Sequence, residues 1–126
     1  MFTKKSKYRN KKVTVDGIKF DSHAEATFYH LLKTMKKAKL IDEFELQKKF
    51  TLQDAFKFEG KTVRAITYVC DFHVLRNGNY DVIDVKGAPE TEVFKIKRKM
   101  FINKFGKDII IVRTANDYLL KIKGIK

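Results

Sequence analysis

A chain of 126 residues in which 44% of side chains are hydrophobic is sized and composed for one globular domain around one core, which excludes disordered and fibrous classes. No run approaches the ~20 consecutive apolar residues that cross a bilayer, and the N-terminus lacks the apolar segment of a secretion signal, so a soluble cytoplasmic protein is expected. Lys and Arg number 28 against 15 acids, and the resulting formal charge of +13 favours a polyanionic partner, nucleic acid foremost, while no basic amphipathic helix points to a membrane surface.

Residues 1–12 hold Lys4, Lys5, Lys7, Arg9, Lys11 and Lys12 and no acid, and are expected to form a flexible basic arm ahead of a single domain over 13–126. Val13 to Phe20 reads as a short extended segment around a turn at Asp16-Gly17. A helix is predicted from Ser22 to Lys39, because Ala24, Phe28, Leu31, Leu32 and Met35 recur at three- and four-residue steps. Ser22 and Glu25 have capping-box spacing at its start, and lysines gather at its negative end.

Strand signals follow at Phe44 to Leu52, Thr62 to Leu75 and Tyr80 to Val85, with Asn77-Gly78 as a hairpin turn between the last two. Cys70, the single cysteine, cannot form an internal disulfide and sits among apolar neighbours, as a buried, inert thiol would. A second helix fits Glu92 to Phe105, with Val93, Ile96, Lys97, Met100, Phe101 and Phe105 inward, and Lys95, Arg98 and Lys99 outward as phosphate contacts. Gly106 follows its end. Asp108 to Val112 is a continuous apolar run suited to a central strand, and the tail from Thr114 is a short helix or a loop. The order helix-strand-strand-strand-helix-strand predicts an α/β (α+β) fold with a mixed central sheet of about four strands flanked by helices, the last two strands parallel.

The predicted hairpin carries the chemistry. With a two-residue turn, Arg76 pairs with Asn79, Leu75 with Tyr80 and Asp71 with Asp84, so the two carboxylates share a face with Cβ atoms about 4.5–5.5 Å apart. Lys86 lies on that face roughly 6–7 Å further along. Like charges placed directly opposite are destabilising, and a divalent cation between them supplies a reason for the arrangement. The structural alternative is an Asp84–Lys86 ion pair with Asp71 merely at a strand end. By alternation Asp81 faces the other way and reads as structural, whereas His73 shares the face of Asp71 as a residue supporting the site. No zinc-spaced His/Cys cluster and no Gly-rich phosphate loop is present.

An Asp on one strand followed by "YDVIDVKG" on the next, with Glu25 in "FDSHAEATFYHLL" on the first helix, resembles the PD-(D/E)XK nuclease superfamily. The whole chain is similar to an uncharacterised family of small phage-encoded proteins within it, through "KYRNKKVTVDGIKFDSHAE", "ELQKKF", "YVCDFHV", "DVKG" and "FKIKRKMF". The resemblance implies a restriction-endonuclease-like fold and hydrolysis of a DNA phosphodiester. Asp71, Asp84, the Val85 carbonyl and Glu25 would bind Mg²⁺ (Mn²⁺ substituting), and Lys86 would position the attacking water. Gln47 matches the family's "LQ" and is placed either to reach this site or to serve as a sheet-edge amide. Holliday-junction resolvases are the nearest functional analogy, pointing to structure-specific cleavage of branched DNA in phage recombination, replication or packaging, in the host cytoplasm, and to a homodimer for which the sequence shows no surface. The alternative is a non-catalytic nucleic-acid-binding protein using the basic arm and second helix.

Overall fold

The computed structural model describes residues 12–124, so the expected contacts of Lys4, Lys5, Lys7, Arg9 and Lys11 lie outside the described residues. A first hairpin, β1 (Val13–Val15) and β2 (Ile18–Phe20), turns at Asp16-Gly17 and leads into α1 (His23–Lys37). Then come β3 (Glu43–Leu46), β4 (Lys49–Gln53), β5 (Phe56–Phe58), β6 (Lys61–Val63), β7 (Ile66–Val69), β8 (Phe72–Arg76) and β9 (Asn79–Val85). Helix α2 (Glu92–Phe105), β10 (Ile110–Val112) and α3 (Ala115–Ile122) complete the described chain.

The central sheet is mixed and four-stranded, in the order β10-β9-β8-β3, with β10 parallel to β9 and the other neighbours antiparallel. The expected α/β arrangement with a parallel final pair is therefore present. The Asn77-Gly78 turn has both residues at positive φ (52° and 79°), as a tight hairpin of this twist requires, and sets Arg76 against Asn79 and Leu75 against Tyr80. Two predicted strands are subdivided. Phe44 to Leu52 breaks at Gln47-Lys48, and Thr62 to Leu75 breaks at Arg64-Ala65 and again at Cys70-Asp71. The β5–β6 hairpin, turning at Glu59-Gly60, was not anticipated. Among the described residues no helix is long and apolar enough to cross a membrane.

Two apolar clusters sandwich the sheet. Phe28, Leu32 and Met35 of α1 pack on Phe72, Val74 and Ile83, with Tyr118 of α3 closing the layer. Phe94 and Phe101 of α2 pack on Leu52, Tyr68, Cys70 and Val82. The inward face of α2 differs in part from the expected one: Val93, Ile96 and Phe105 are exposed, and Phe94 joins the expected Phe101 in the core. These rings stand seven residues apart, on one narrow ridge, and meet Phe50 (5.2 Å from Phe101) and Tyr68 (6.1 Å from Phe94). The largest aromatic areas select the face, and the smaller aliphatics are left in solvent.

The break at Gln47 has a physical signature. In an unbroken strand Phe44, Leu46, Phe50 and Leu52 would share a face. Here Phe44 and Leu46 join the α1 cluster, while Phe50 and Leu52 join the α2 cluster. Gln47 is left-handed (φ 58°), which inverts the pleat at that point. Its amide donates to the Asp71 carbonyl (3.2 Å), and at the adjacent position the Cys70 amide donates to the Lys48 carbonyl (3.0 Å). A regular antiparallel ladder alternates bonded and non-bonded pairs, so bonds at successive positions mark the shift of phase. The numbering of partners nevertheless continues across the break, Leu46 against Phe72 and Lys49 against Val69.

Candidate active site

Asp71 lies at this break, immediately before β8, and is tied to both neighbouring strands. Its carbonyl accepts from Gln47, its amide donates to the Ile83 carbonyl (3.1 Å), and its Oδ2 accepts the Val85 amide (2.8 Å). The cross-strand pairing runs as expected to Phe72–Ile83 but stops one step short of Asp71–Asp84. There the Asp71 carboxylate takes the place of a ladder acceptor at the end of β9. The two acids are still close enough to repel. Burial, then the charges of Asp84 and Glu25, push the Asp71 carboxyl up to about 8, against the opposing Val85 hydrogen bond.

Asp84 is 5% exposed, and its Oδ2 is paired with Lys86 Nζ at 2.8 Å. The same ammonium stands 3.7 Å from the centre of the Phe94 ring. Glu25 enters from the first turn of α1. Its amide donates to Ser22 Oγ (3.2 Å), which makes Ser22 the N-cap, but the reciprocal bond of a capping box is not formed. The carboxyl is instead pushed up to about 7, first by burial and then by the charges of Asp21 and Asp84. By contrast, Asp117 at the start of α3 accepts the Thr114 and Arg113 amides (2.9 and 2.8 Å), and its carboxyl is held below the usual range.

Glu25, Gln47 and Asp71 line one cleft of about 290 Å³, floored by Phe20 and Phe72. A wider surface hollow of about 770 Å³ lies between α1 and β3, where Lys36 is paired with the acid, Glu43, at 2.6 Å. It gathers no second carboxylate, so the smaller cleft is the chemically distinctive one. Among the described residues, no three His, Cys, Asp or Glu side chains already converge on a single point as metal ligands. The donor set nevertheless suits a hard cation: it is all oxygen, two of its acids have their ionisation opposed, and Mg²⁺ needs only one or two carboxylates with water and phosphate completing the shell.

Other expected site residues are not brought in. His73 pairs with Glu45 (3.1 Å) and stacks on Tyr80 (4.4 Å), because Glu45 is its cross-strand neighbour on β3; its contacts are away from the carboxylates. Arg98 is engaged by both oxygens of Asp108 (2.8 and 2.9 Å), a two-pronged geometry that competes with phosphate, and Lys95 is paired with Glu92 (3.3 Å). Lys99 is exposed on the outer side of α2, and Lys12 is ion-paired with Asp21 (2.8 Å). The residue that sequence reasoning missed is Tyr68, which reads as one more β-former in its strand. Only the break at Cys70-Asp71 turns it under α2, toward Asp84.

A family model described as a protein of unknown function, DUF1064, matches residues 5–118. No curated protein and no solved structure matches the chain.

Proposed function

We infer that this chain, which belongs to the DUF1064 family, is a Mg²⁺-dependent endodeoxyribonuclease that hydrolyses phosphodiester bonds, acting on branched or junction DNA. The observation that carries the reading is that Glu25 and Asp71 line one cleft, with the charge of Asp84, itself paired with Lys86 (2.8 Å), acting on both. Burial and neighbouring acidic charge oppose the ionisation of Glu25 and Asp71, which costs stability, and among the described residues Lys86 is the cation paired with the buried Asp84. The formal charge of +13 supports a polyanionic substrate.

Asp71, Asp84, Glu25 and the Val85 carbonyl would hold the metal, which when bound acts as a Lewis acid on the phosphate and lowers the pKa of its water. The remaining work falls to the chain. Asp71 and Glu25 give up their protons to become ligands. The anchoring of Asp71 by Gln47, Ile83 and Val85 fixes where its carboxylate stands. Lys86 leaves Asp84 to donate to a phosphate oxygen or to orient the attacking water, placing positive charge where negative charge develops.

The deciding experiment incubates junction, flap and duplex DNA with Mg²⁺, with Mn²⁺ and with EDTA. Metal-dependent cleavage, greatest on the branched substrates, is expected. Tight DNA binding with no cleavage in either metal would leave a nucleic-acid-binding protein and overturn the enzyme.

A further inference from the structure

Tyr68 is 5% exposed, walled by Phe50, Phe94 and Phe101. Among the described residues its hydroxyl is the one buried side-chain polar atom without a hydrogen-bond partner. Buried hydroxyls are nearly always satisfied, so this one needs a reason. Its surroundings supply one. Besides burial, the strongest influence on the phenol is the charge of Asp84, which opposes its ionisation. Phe94, whose ring lies 6.1 Å from that of Tyr68, is also the ring beneath the Lys86 ammonium. Lys86, which holds Asp84 at 2.8 Å, thus stands over a ring that packs against Tyr68, and Asp84 acts on the phenol ahead of Cys70 and Asp71, with a weak hydrogen-bonding influence although no hydrogen bond is formed at rest.

Resting on the nuclease reading above, we propose that Tyr68 is a positioning residue: its O–H donates to the Asp84 carboxylate when Lys86 turns from Asp84 to the substrate. One ammonium cannot serve both groups fully. Once it leaves, Asp84, whose side chain is 8% exposed, would be a buried carboxylate without its donor. Tyr68 already stands there with its hydroxyl desolvated and uncommitted, so closing the bond requires no competing bond to be broken. The bond holds one carboxylate oxygen in place and leaves the other for the cation. An orienting hydrogen bond of this kind typically affects metal affinity or turnover by 10- to 100-fold.

The test is Tyr68→Phe, which keeps the ring and its packing. Because the hydroxyl has no partner at rest, the melting temperature of the metal-free protein should hold or rise. On branched DNA, kcat should fall by about tenfold or more and half-saturation should move to higher Mg²⁺, with KM for DNA retained. Tyr118→Phe is the control for loss of a buried hydroxyl: that group donates to Asp81 at 2.5 Å, and its removal should lower the melting temperature and spare cleavage. A lowered melting temperature in Tyr68→Phe with wild-type kcat and Mg²⁺ dependence would make the hydroxyl structural and overturn the proposal. So would unchanged stability with unchanged kinetics. If wild type cleaves no substrate in any metal, the nuclease reading itself fails, and this role fails with it.

Discussion

Strand β9 carries two aspartates three residues apart, and they live in opposite circumstances. Asp81 faces α3, where Tyr118 donates to it at 2.5 Å and Arg76 at 3.3 Å. Asp84 faces α2, where a second tyrosine, Tyr68, has its hydroxyl unpaired, and the charge of Asp84 helps to push up the carboxyls of Glu25 and Asp71. The first cluster is complete and neutralised by its own members. The second is left short of positive charge and of hydrogen bonds. A set of buried groups satisfied internally serves the fold, whereas one that is buried and unsatisfied is arranged for something that arrives later.

The largest effect that would break this contrast is on turnover. Asp84→Asn and Lys86→Ala should each lower cleavage by about 10²-fold or more while DNA binding persists. Asp81→Asn should do the reverse, costing about 1–3 kcal/mol in thermal or urea melts and sparing cleavage. Wild-type rates in either of the first two variants would remove the site.

Glu25→Gln comes next. Glutamine can close a capping box, so a purely structural Glu25 would tolerate it. Because Glu25 does not bond back to the helix start, most cleavage should be lost across a Mg²⁺ titration, with the melting temperature held or raised.

A third effect is on pH. Glu25 and Asp71 ionise near 7 and near 8 in the fold, against about 4 in an unfolded chain. The folded protein therefore holds more protons across that window. Metal-free stability should be greatest at its acid end and fall as pH rises from about 4 to about 8. Melts at pH 5 and pH 8, with Mg²⁺ or EDTA, check this. Mg²⁺ should recover stability at pH 8, and Asp71→Asn should flatten the fall. A pH-independent melting temperature in wild-type EDTA samples would show that the two carboxyls ionise normally.

The smallest effect belongs to the surface. Lys99→Ala should weaken DNA binding evenly across sequences and reduce the salt slope by about one. Arg98→Ala should chiefly cost stability, since Asp108 already holds both prongs of its guanidinium.

What was legible in the chain was local. Asn77-Gly78 set the hairpin register, Ser22 capped α1, and a helix between two apolar runs announced the parallel pair. Asp81 could be separated from Asp84 by counting alternate residues. What was not legible depended on partners distant in sequence. The ridge of α2 that turns inward is selected by Phe50 and Tyr68, more than 25 residues before it, and the helix's own pattern offers apolar residues on several sides. His73 could not be removed from the site without knowing that Glu45 pairs with it. Counting alternation through residues 44–52 fails because one left-handed residue, Gln47, carries no marker such as glycine.

That break also has a mechanical meaning. The ribbon of β3–β4 and β7–β8 is shared by both apolar clusters, yet at Gln47-Lys48 and Cys70-Asp71 it is crossed by only the Gln47–Asp71 and Cys70–Lys48 bonds. The line is a seam where the ribbon passes from one apolar cluster to the other, and Asp71 sits on it, tied to Ile83 and Val85 of β9 as well as to Gln47. Amide exchange at Gln47 and Cys70 should accordingly be faster than in the strands on either side, a local opening at the seam and not the unfolding of a core.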